Sequence, residues 1–484
     1  MKKIIIVGGG IAGLSAAYYL KERTNTPCQI ILLEEADYWG GKIVTERVDS
    51  LVPGDEFVVE GGPDTFVVTK PWGVKLCKEL GIDDRLRGTN PKTKKTYILK
   101  QGELHELPGG LTMMIPTEIG PMIRTGLLSW FAKMRMGLDF VIPPSQVNGD
   151  ETLGAFVTRR LGREAYENLI EPLMSGIYAG DGDQLSLQST FPYLRELEIK
   201  HGGLVKGALA LRKERLRKAR ATKEGSPPLA GSRSIFLTPL NGLVEMVDSL
   251  LQVLEAAGVE LRLNTSAQTV ERTANGYSLV TTCGEVISAD CIILATPSFV
   301  TADLVSGFAP QLVAELRPIE YVSTATVTLA FHEKDLPRPL DGYGYVIPRR
   351  AGRRALACTW TSTKFPHRAP DGYALLRVFI GRAGQEEEID WNDSFLSATA
   401  REEVNLTLGI NTDPLFERVH RWEKAMPQYA LGHPQRLKRI EEILTVYPGL
   451  AVAGNAYQGI GIPDCIHSGE LAAEKIIQSF IKDL

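Results

Sequence analysis

The chain has 484 residues, of which 44% are hydrophobic and 23% charged, with a formal net charge of −4 and a pI near 6.1. That length predicts more than one folding unit, and that composition excludes disorder on a large scale. The mildly acidic balance lacks the basic footprint of a nucleic-acid binder, so no nucleic-acid partner is expected. The chain opens on Lys2 and Lys3 followed by the apolar run Ile4-Ile5-Ile6-Val7. The run stops at Gly8, short of the about 7–15 residues of a signal-peptide core, and its β-branched character predicts a buried parallel strand. Gly8, Gly10 and Gly13 follow at the G-x-G-x-x-G spacing within Gly8-Gly9-Gly10-Ile11-Ala12-Gly13. The first glycine permits the tight turn, the second lets backbone approach a pyrophosphate, and the third lets helix pack on strand. An apolar helical face through Leu14, Ala17, Tyr18 and Leu20 comes next. A second strand, Gln29 to Leu33, then ends in Glu34, a carboxylate able to accept from ribose hydroxyls, with Glu35 beside it. Strand, loop, helix, strand and acid in this order predict a dinucleotide site.

Just past the acid lie Gly40, Gly41 and Lys42. The paired glycine resembles the extended FAD fingerprint of the glutathione-reductase-like flavoproteins, especially the amine oxidase and protoporphyrinogen oxidase superfamily. Many of its members carry arginine where this chain has Lys42, and a lysine lacks the bidentate fork that arginine offers a phosphate. Residues 72–210 are mostly helical in pattern. Within them a Met- and aromatic-rich stripe from Leu111 to Pro143 includes Met113, Met114, Trp130, Phe131, Met134, Met136 and Phe140. It reads first as core or pocket lining and second as a peripheral membrane face. No run of about 18 apolar residues exists, so no membrane-spanning helix is predicted. From Lys206 to Arg233 basic residues cluster ahead of Gly225-Ser226-Pro227-Pro228, which reads as a solvated helix and flexible loop.

Near Leu240 the nucleotide-binding pattern returns. Asn241-Gly242 opens an amphipathic helix that Gly258 closes, Ala267 to Arg272 pairs with Tyr277 to Thr281 across Asn275-Gly276, and Asp290 to Ala295 gives a buried strand. By the superfamily resemblance, the backbone at Ala267 lies near the adenine. Residues 301–417 mix strand-like runs, Thr324 to Phe331 and Ala374 to Ile380, with a helix from Asn392 to Leu408. The third return is C-terminal. A strand ends at Gly454-Asn455, Gly459 and Gly461 permit close backbone approach, and Pro463 suits the first turn of a helix. A helix N-terminus aimed at a flavin stabilises negative charge on the reduced ring.

Four further motifs narrow the resemblance. Glu60-Gly61-Gly62-Pro63-Asp64-Thr65-Phe66, Asn168 to Asp181, Met426-Pro427-Gln428-Tyr429 and Gly459 to Ile466 together resemble the protoporphyrinogen/coproporphyrinogen oxidases of haem biosynthesis over nearly the whole chain. The likeness is greatest to the soluble coproporphyrinogen III oxidases of Gram-positive bacteria. It implies an α/β fold with a Rossmann-like FAD-binding domain of the glutathione-reductase/amine-oxidase type, a discontinuous substrate domain and a helical insert. The corresponding expectation is an FAD domain from 1–71, 234–300 and 418–484, an insert over 72–233 and a substrate domain over 301–417. The resemblance places Lys42, Gly62, Pro63, Asp64, Thr65, Trp422, Asn455, Ile460, Gly461 and Ile462 beside FAD. It places Ser175, Gly176, Ile177, Tyr178 and Ala179 near the porphyrinogen.

The implied reaction removes six electrons from coproporphyrinogen III in three flavin cycles, with oxygen as acceptor and hydrogen peroxide as product. No catalytic acid–base residue is assigned, and the seven histidines show no metal-ligand spacing. Candidates for pairing the substrate carboxylates are Lys70, Arg349, Arg350 and Arg382. Six scattered cysteines without a C-x-x-C pair fit free thiols in a reducing compartment, hence a cytoplasmic protein, with membrane association and hand-over to other haem-pathway enzymes as further expectations. The alternatives are a protoporphyrinogen IX oxidase, an FAD amine oxidase, and a cofactor-free binding protein of the GDP-dissociation-inhibitor type.

Overall fold

The computed structural model describes residues 1–24, 26–50, 54–109, 111–112, 115–116, 118–145, 149–221 and 234–482. Met113, Met114, Lys223 and the Gly225–Pro228 stretch lie outside the described residues.

A five-stranded parallel sheet forms the N-terminal core. Its order is Glu260–Arg262, Cys28–Leu33, Lys2–Val7, Cys291–Leu294 and Leu450–Val452, so strands from three distant parts of the chain lie side by side. The pleat sends alternate residues to opposite faces, and both faces are buried. Ile4, Ile6, Ile30, Leu32 and Ile293 pack under the helices Ile11–Arg23, Val244–Ala256 and Ile462–Lys482. Ile5, Val7, Ile31, Leu33 and Ile292 pack under the antiparallel meander Ala267–Thr273, Gly276–Thr281 and Val286–Ala289. The hairpin of that meander turns at Ala274-Asn275, one residue before the Asn275-Gly276 turn read from sequence. Thr273 pairs with Gly276, which still takes a positive φ of 138°.

The second sheet has seven strands in the order Phe416–Pro427, Tyr321–His332, Tyr373–Ile380, Ala355–Trp360, Gly342–Val346, Lys95–Lys100 and Glu103–Glu106. All neighbours are antiparallel except the pair Gly342–Val346 with Lys95–Lys100. Two segments of this sheet come from outside the 301–417 block. Most of Phe416–Pro427, assigned with the last cofactor segment, is the edge strand here, and Lys95–Glu106, assigned to the helical insert, extends the opposite edge. The helix Asp393–Leu408 covers one face, with Asn392 as its N-cap accepting from the Phe395 amide at 2.9 Å.

The rest of the insert is mostly helical, with short strands at Leu86–Gly88, Leu111–Thr112 and Ile115–Pro116. Trp130–Gly137, Leu153–Leu161, Glu171–Tyr178, Pro192–His201 and Leu204–Ala221 enclose their own apolar core around Phe156, Leu169 and Met174. Buried Arg160 pins this core by bonding Asp139 at 2.6 Å and several carbonyls. The Met- and aromatic-rich stripe divides across the helix Trp130–Gly137. Met136 is buried in the core, whereas Trp130 (66% exposed), Phe131 (81%) and Met134 face outward. All six cysteines are free, and Cys283 is exposed rather than buried. Among the described residues, no helix is long and apolar enough to cross a membrane.

Candidate functional site

The loop after the first strand is built by backbone contact. A Cβ at Gly13 would sit 1.9 Å from the Gly8 carbonyl oxygen, so only glycine lets the helix close on the strand end. At Gly10 the situation differs, because a Cβ there would meet nothing closer than the Gly40 carbonyl and Gly41 Cα at 4.0 Å. The space in front of Gly10 is open on the side where the helix Ile11–Arg23 begins. That helix has no side-chain cap and no acidic residue in its first turn, which leaves its first amides free to receive an anion. Glu34 sits at the end of the second strand and accepts from the Gly9 amide at 2.5 Å and the Ala36 amide at 3.0 Å. Its carboxylate is thereby fixed beside the glycine loop with lone pairs to spare. Glu35 is exposed and within 3.5 Å of Ser266. The Ala267 segment is brought alongside, since the amides of Asn264 and Thr265 donate to the carbonyls of Ala36 and Glu34.

Lys42 follows the Gly40-Gly41 turn, which pairs with the glycine loop through the Gly40 amide and the Gly9 carbonyl at 2.9 Å. Burial lowers the pKa of its ammonium, although Cys465 nearby opposes the shift. The Lys42 ammonium has no hydrogen-bond or ion-pair partner among the described residues. A half-buried cation without a counter-ion, carried on a turn whose backbone is bonded to the glycine loop, fits an anionic group of a bound dinucleotide.

The Gly61–Thr65 loop crosses from the first unit to the second. The Gly61 carbonyl accepts from Trp422 Nε1, Thr326 Oγ1 and Arg377 Nη2, each at 2.9 Å. Trp422 is thus occupied in holding this loop. The neighbouring Gly62 carbonyl takes a second bond from Arg377, Thr65 donates to the Leu237 carbonyl at 2.8 Å, and Asp64 pairs with Lys364 at 3.1 Å. Burial works against ionisation of Asp64, but Lys364 and Arg377 outweigh it and hold the carboxyl below its usual range.

The third cofactor segment is held by the side chains of Tyr429, Asn455 and Ser468. Tyr429 donates its hydroxyl to the Asn455 carbonyl and accepts from the Gly459 amide at 3.0 Å. Asn455 donates to the Ala425 carbonyl at 3.2 Å, and the Gly454 amide donates to Ser468 Oγ at 3.0 Å. The helix Ile462–Lys482 starts at the third residue of the Ile460-Gly461-Ile462 stretch.

The helix Glu171–Tyr178 reaches the same place from the insert. Tyr178 packs edge-on against Tyr429, its carbonyl accepts from Gln428 Nε2 at 3.1 Å, and Ile460 lies against the insert core. Gly176 and Ile177 are exposed, whereas Ser175 is buried with a hydroxyl that has no partner among the described residues. Ala179 ends the helix in the left-handed region, φ 49°, a strained setting for a residue with a Cβ.

Of the four basic candidates, Arg382 is fully buried and bonded to the Ile347 and Ala355 carbonyls, so it cannot meet a ligand carboxylate. Arg349 is tied to the Ala383 carbonyl at 2.7 Å, and Arg350 is near Glu167 at 3.9 Å. Lys70 pairs with Asp464 at 2.6 Å at the edge of the Gly459–Asp464 loop, which makes it the candidate nearest the cofactor segment. Sequence reasoning assigned no role to Arg377, Tyr429 or Asp464. Arg377 had one signal, a single charge inside the apolar strand Tyr373–Ile380.

The comparisons with known proteins agree with this geometry. The model for the flavin containing amine oxidoreductases matches residues 11–477. The chain is 37% identical to the coproporphyrinogen III oxidase of Bacillus subtilis, covering 97% of each chain. It is 36% identical to the coproporphyrinogen III oxidase of Staphylococcus aureus, covering 98% of this chain and 99% of that one. A crystal structure from Exiguobacterium sp. 255-15, assigned provisionally as a protoporphyrinogen oxidase, superposes with a TM-score of 0.84 at 34% identity and covers 99% of both chains. The chain belongs to the family of flavin containing amine oxidoreductases.

Proposed function

We propose that this chain is an FAD-dependent oxidase that converts coproporphyrinogen III to coproporphyrin III in haem biosynthesis. The observation that carries the reading is similarity along nearly the whole chain to relatives named for that activity, with the porphyrinogen-type motifs in place. The residues that would hold FAD are Gly8–Gly13 with the amides of Ile11–Gly13 for the pyrophosphate, Glu34 for the ribose, Ala267 for the adenine, and Gly62–Thr65 with Asn455–Ile462 for the ring. Bound FAD supplies a two-electron acceptor that oxygen restores, giving hydrogen peroxide. The substrate must surrender six electrons, so it is processed in three such rounds.

What the chain itself contributes is binding and orientation. Gly176 and Ile177 offer an apolar surface to the macrocycle at the end of a helix whose far side is locked to Tyr429 and Gln428. Lys70, held by Asp464, is placed to meet a substrate carboxylate. No strong base is needed, because the pyrrole N–H proton can leave to water as the hydride departs. The exposed Trp130, Phe131 and Met134 support peripheral contact of the insert with a lipid surface or with the protein that receives the product. Sedimentation of the chain with lipid vesicles, against a Phe131→Ser variant, tests the lipid contact.

The test of function is anaerobic mixing of the purified yellow protein with coproporphyrinogen III, protoporphyrinogen IX or a set of amines while the flavin band is followed. Fast bleaching by coproporphyrinogen, slower bleaching by protoporphyrinogen and none by amines is expected. Bleaching by amines alone would keep the fold and overturn the function.

A further inference from the structure

A cluster of buried charges lies directly behind the Gly61–Thr65 loop. Arg368 pairs with Glu60 at 2.8 Å, and Lys364 pairs with Asp64 at 3.1 Å. Arg377, 3% exposed, is the remaining cation, and no carboxylate lies within 4 Å of it among the described residues. Its bonds run to the carbonyls of Gly61 and Gly62, and its Nε has no partner among the described residues. His420 packs on Gly61 and His367 lies beside Arg368, and both are held toward the neutral form, first by burial and then by the neighbouring arginines. Three cations therefore face two carboxylates, leaving one positive charge in excess inside the protein.

The Arg377 guanidinium lies 4.8 Å from the centre of the Phe379 ring and feels Asp64 and Glu60 beyond contact distance, but both carboxylates are already paired with other cations. A buried guanidinium without a carboxylate of its own is costly, and such a cost persists only where something else compensates it. The peptide geometry points to what that is. The Gly61–Gly62 peptide is trans, so the Gly62 amide points away from the carbonyl that Arg377 grips. The Gly62 amide has no acceptor among the described residues. Arg377 polarises this peptide from behind and turns its N–H into a stronger donor on the opposite side.

We propose that Arg377 is a positioning residue that holds the Gly61–Thr65 loop against the flavin and supplies the uncompensated positive charge that stabilises the reduced ring. This rests on the reading that the flavin lies against that loop. Hydride transfer carries two electrons and one proton from a substrate C–H bond to the ring, while the substrate's N–H proton goes to solvent. The ring gains one negative charge, and that charge is what the excess cation meets.

The test is the two-electron potential of the flavin in purified holoenzyme, by equilibration with a redox dye, together with the affinity for sulfite, which adds to flavin as an anionic adduct. Arg377→Met is expected to weaken the preference for reduced flavin about tenfold, a drop of about 30 mV for this couple, and to weaken sulfite binding by a similar factor. Arg377→Lys, which keeps the charge and loses the fork, should restore both values while releasing FAD more readily. Lys364→Gln removes one charge of the same cluster at a site 15% exposed, and should lower both quantities in the same direction even if Arg377→Met does not fold. Flavin-loaded variants with wild-type potential and sulfite affinity would overturn the proposal. A wild-type protein that binds no flavin would instead overturn the reading on which it rests.

Discussion

Two glycine-rich loops face the same cradle and are made in opposite ways. Gly8–Gly13 is held by backbone alone, with van der Waals closeness at Gly13, an uncapped helix start and one carboxylate from the adjacent strand. Gly61–Thr65 is held by side chains from three neighbouring strands of another sheet, arriving from positions 326, 377 and 422. The first is a local solution whose parts lie within about one βαβ unit. The second is a tertiary solution that exists only once the two units are docked.

The sharpest break of this contrast is Gly10→Val. A Cβ there meets nothing closer than 4.0 Å, so the variant should fold with little change in apo melting temperature and yet retain no flavin, as read by the absorbance of the purified protein. Recovery at wild-type occupancy would remove the glycine loop from the site. Next in size is Arg368→Ala, which leaves Glu60 buried without its cation. A loss of about 3–5 kcal/mol is expected in denaturant unfolding, because an uncompensated buried charge costs more than the pair was worth. Tyr429→Phe deletes one hydroxyl that serves two backbone groups of the Asn455–Gly459 loop. It should cost about 1–3 kcal/mol and speed FAD release without moving the Gly8–Gly13 contacts, which an FAD dissociation assay would separate from Gly10→Val.

The smallest effect lies on the outer face of the first unit, at Glu470. Burial favours its neutral form, but Lys75, His467 and Arg23 outweigh that and bring its pKa down to about 2. A depressed carboxyl contributes stability in full above its unfolded value of about 4.3 and loses it as pH falls through the folded value. Glu470→Gln should therefore flatten the fall in melting temperature between neutral pH and pH 3 while leaving flavin content unchanged. An identical acid profile for the two proteins would remove Glu470 from the account.

The same contrast explains what could be read from sequence. Glycine spacing, a β-branched run and an acid at a strand end are local signals, and they located Gly8–Gly13, Glu34 and the C-terminal return correctly in the fold. The helix at 393–408 was legible from its period and from the Asn392 cap. Arg377 carries no local signal of what it grips, because its partners are 315 and 316 residues away. The pairing of Phe416–Pro427 with Tyr321–His332 was not legible for the same reason. Strand pairing across a chain is decided by which face finds cover, and a strand's own pattern is silent about its neighbour. Arg382 read as an available cation because sequence gives charge but not depth.

The interleaved order of the five-stranded sheet also bears on how the protein comes into being. Ile4 pairs with Cys291 and the sheet closes only with Leu450–Val452, so the first strand waits until residue 291 for its second neighbour, and the sheet waits for nearly the whole chain before its outer strand is available. Such long-range pairing makes folding slow and leaves the Ile4–Val7 run uncovered during synthesis. A nascent chain stopped before residue 450 should therefore bind hydrophobic-surface chaperones and carry no flavin, and loading of the cofactor should follow release from the ribosome.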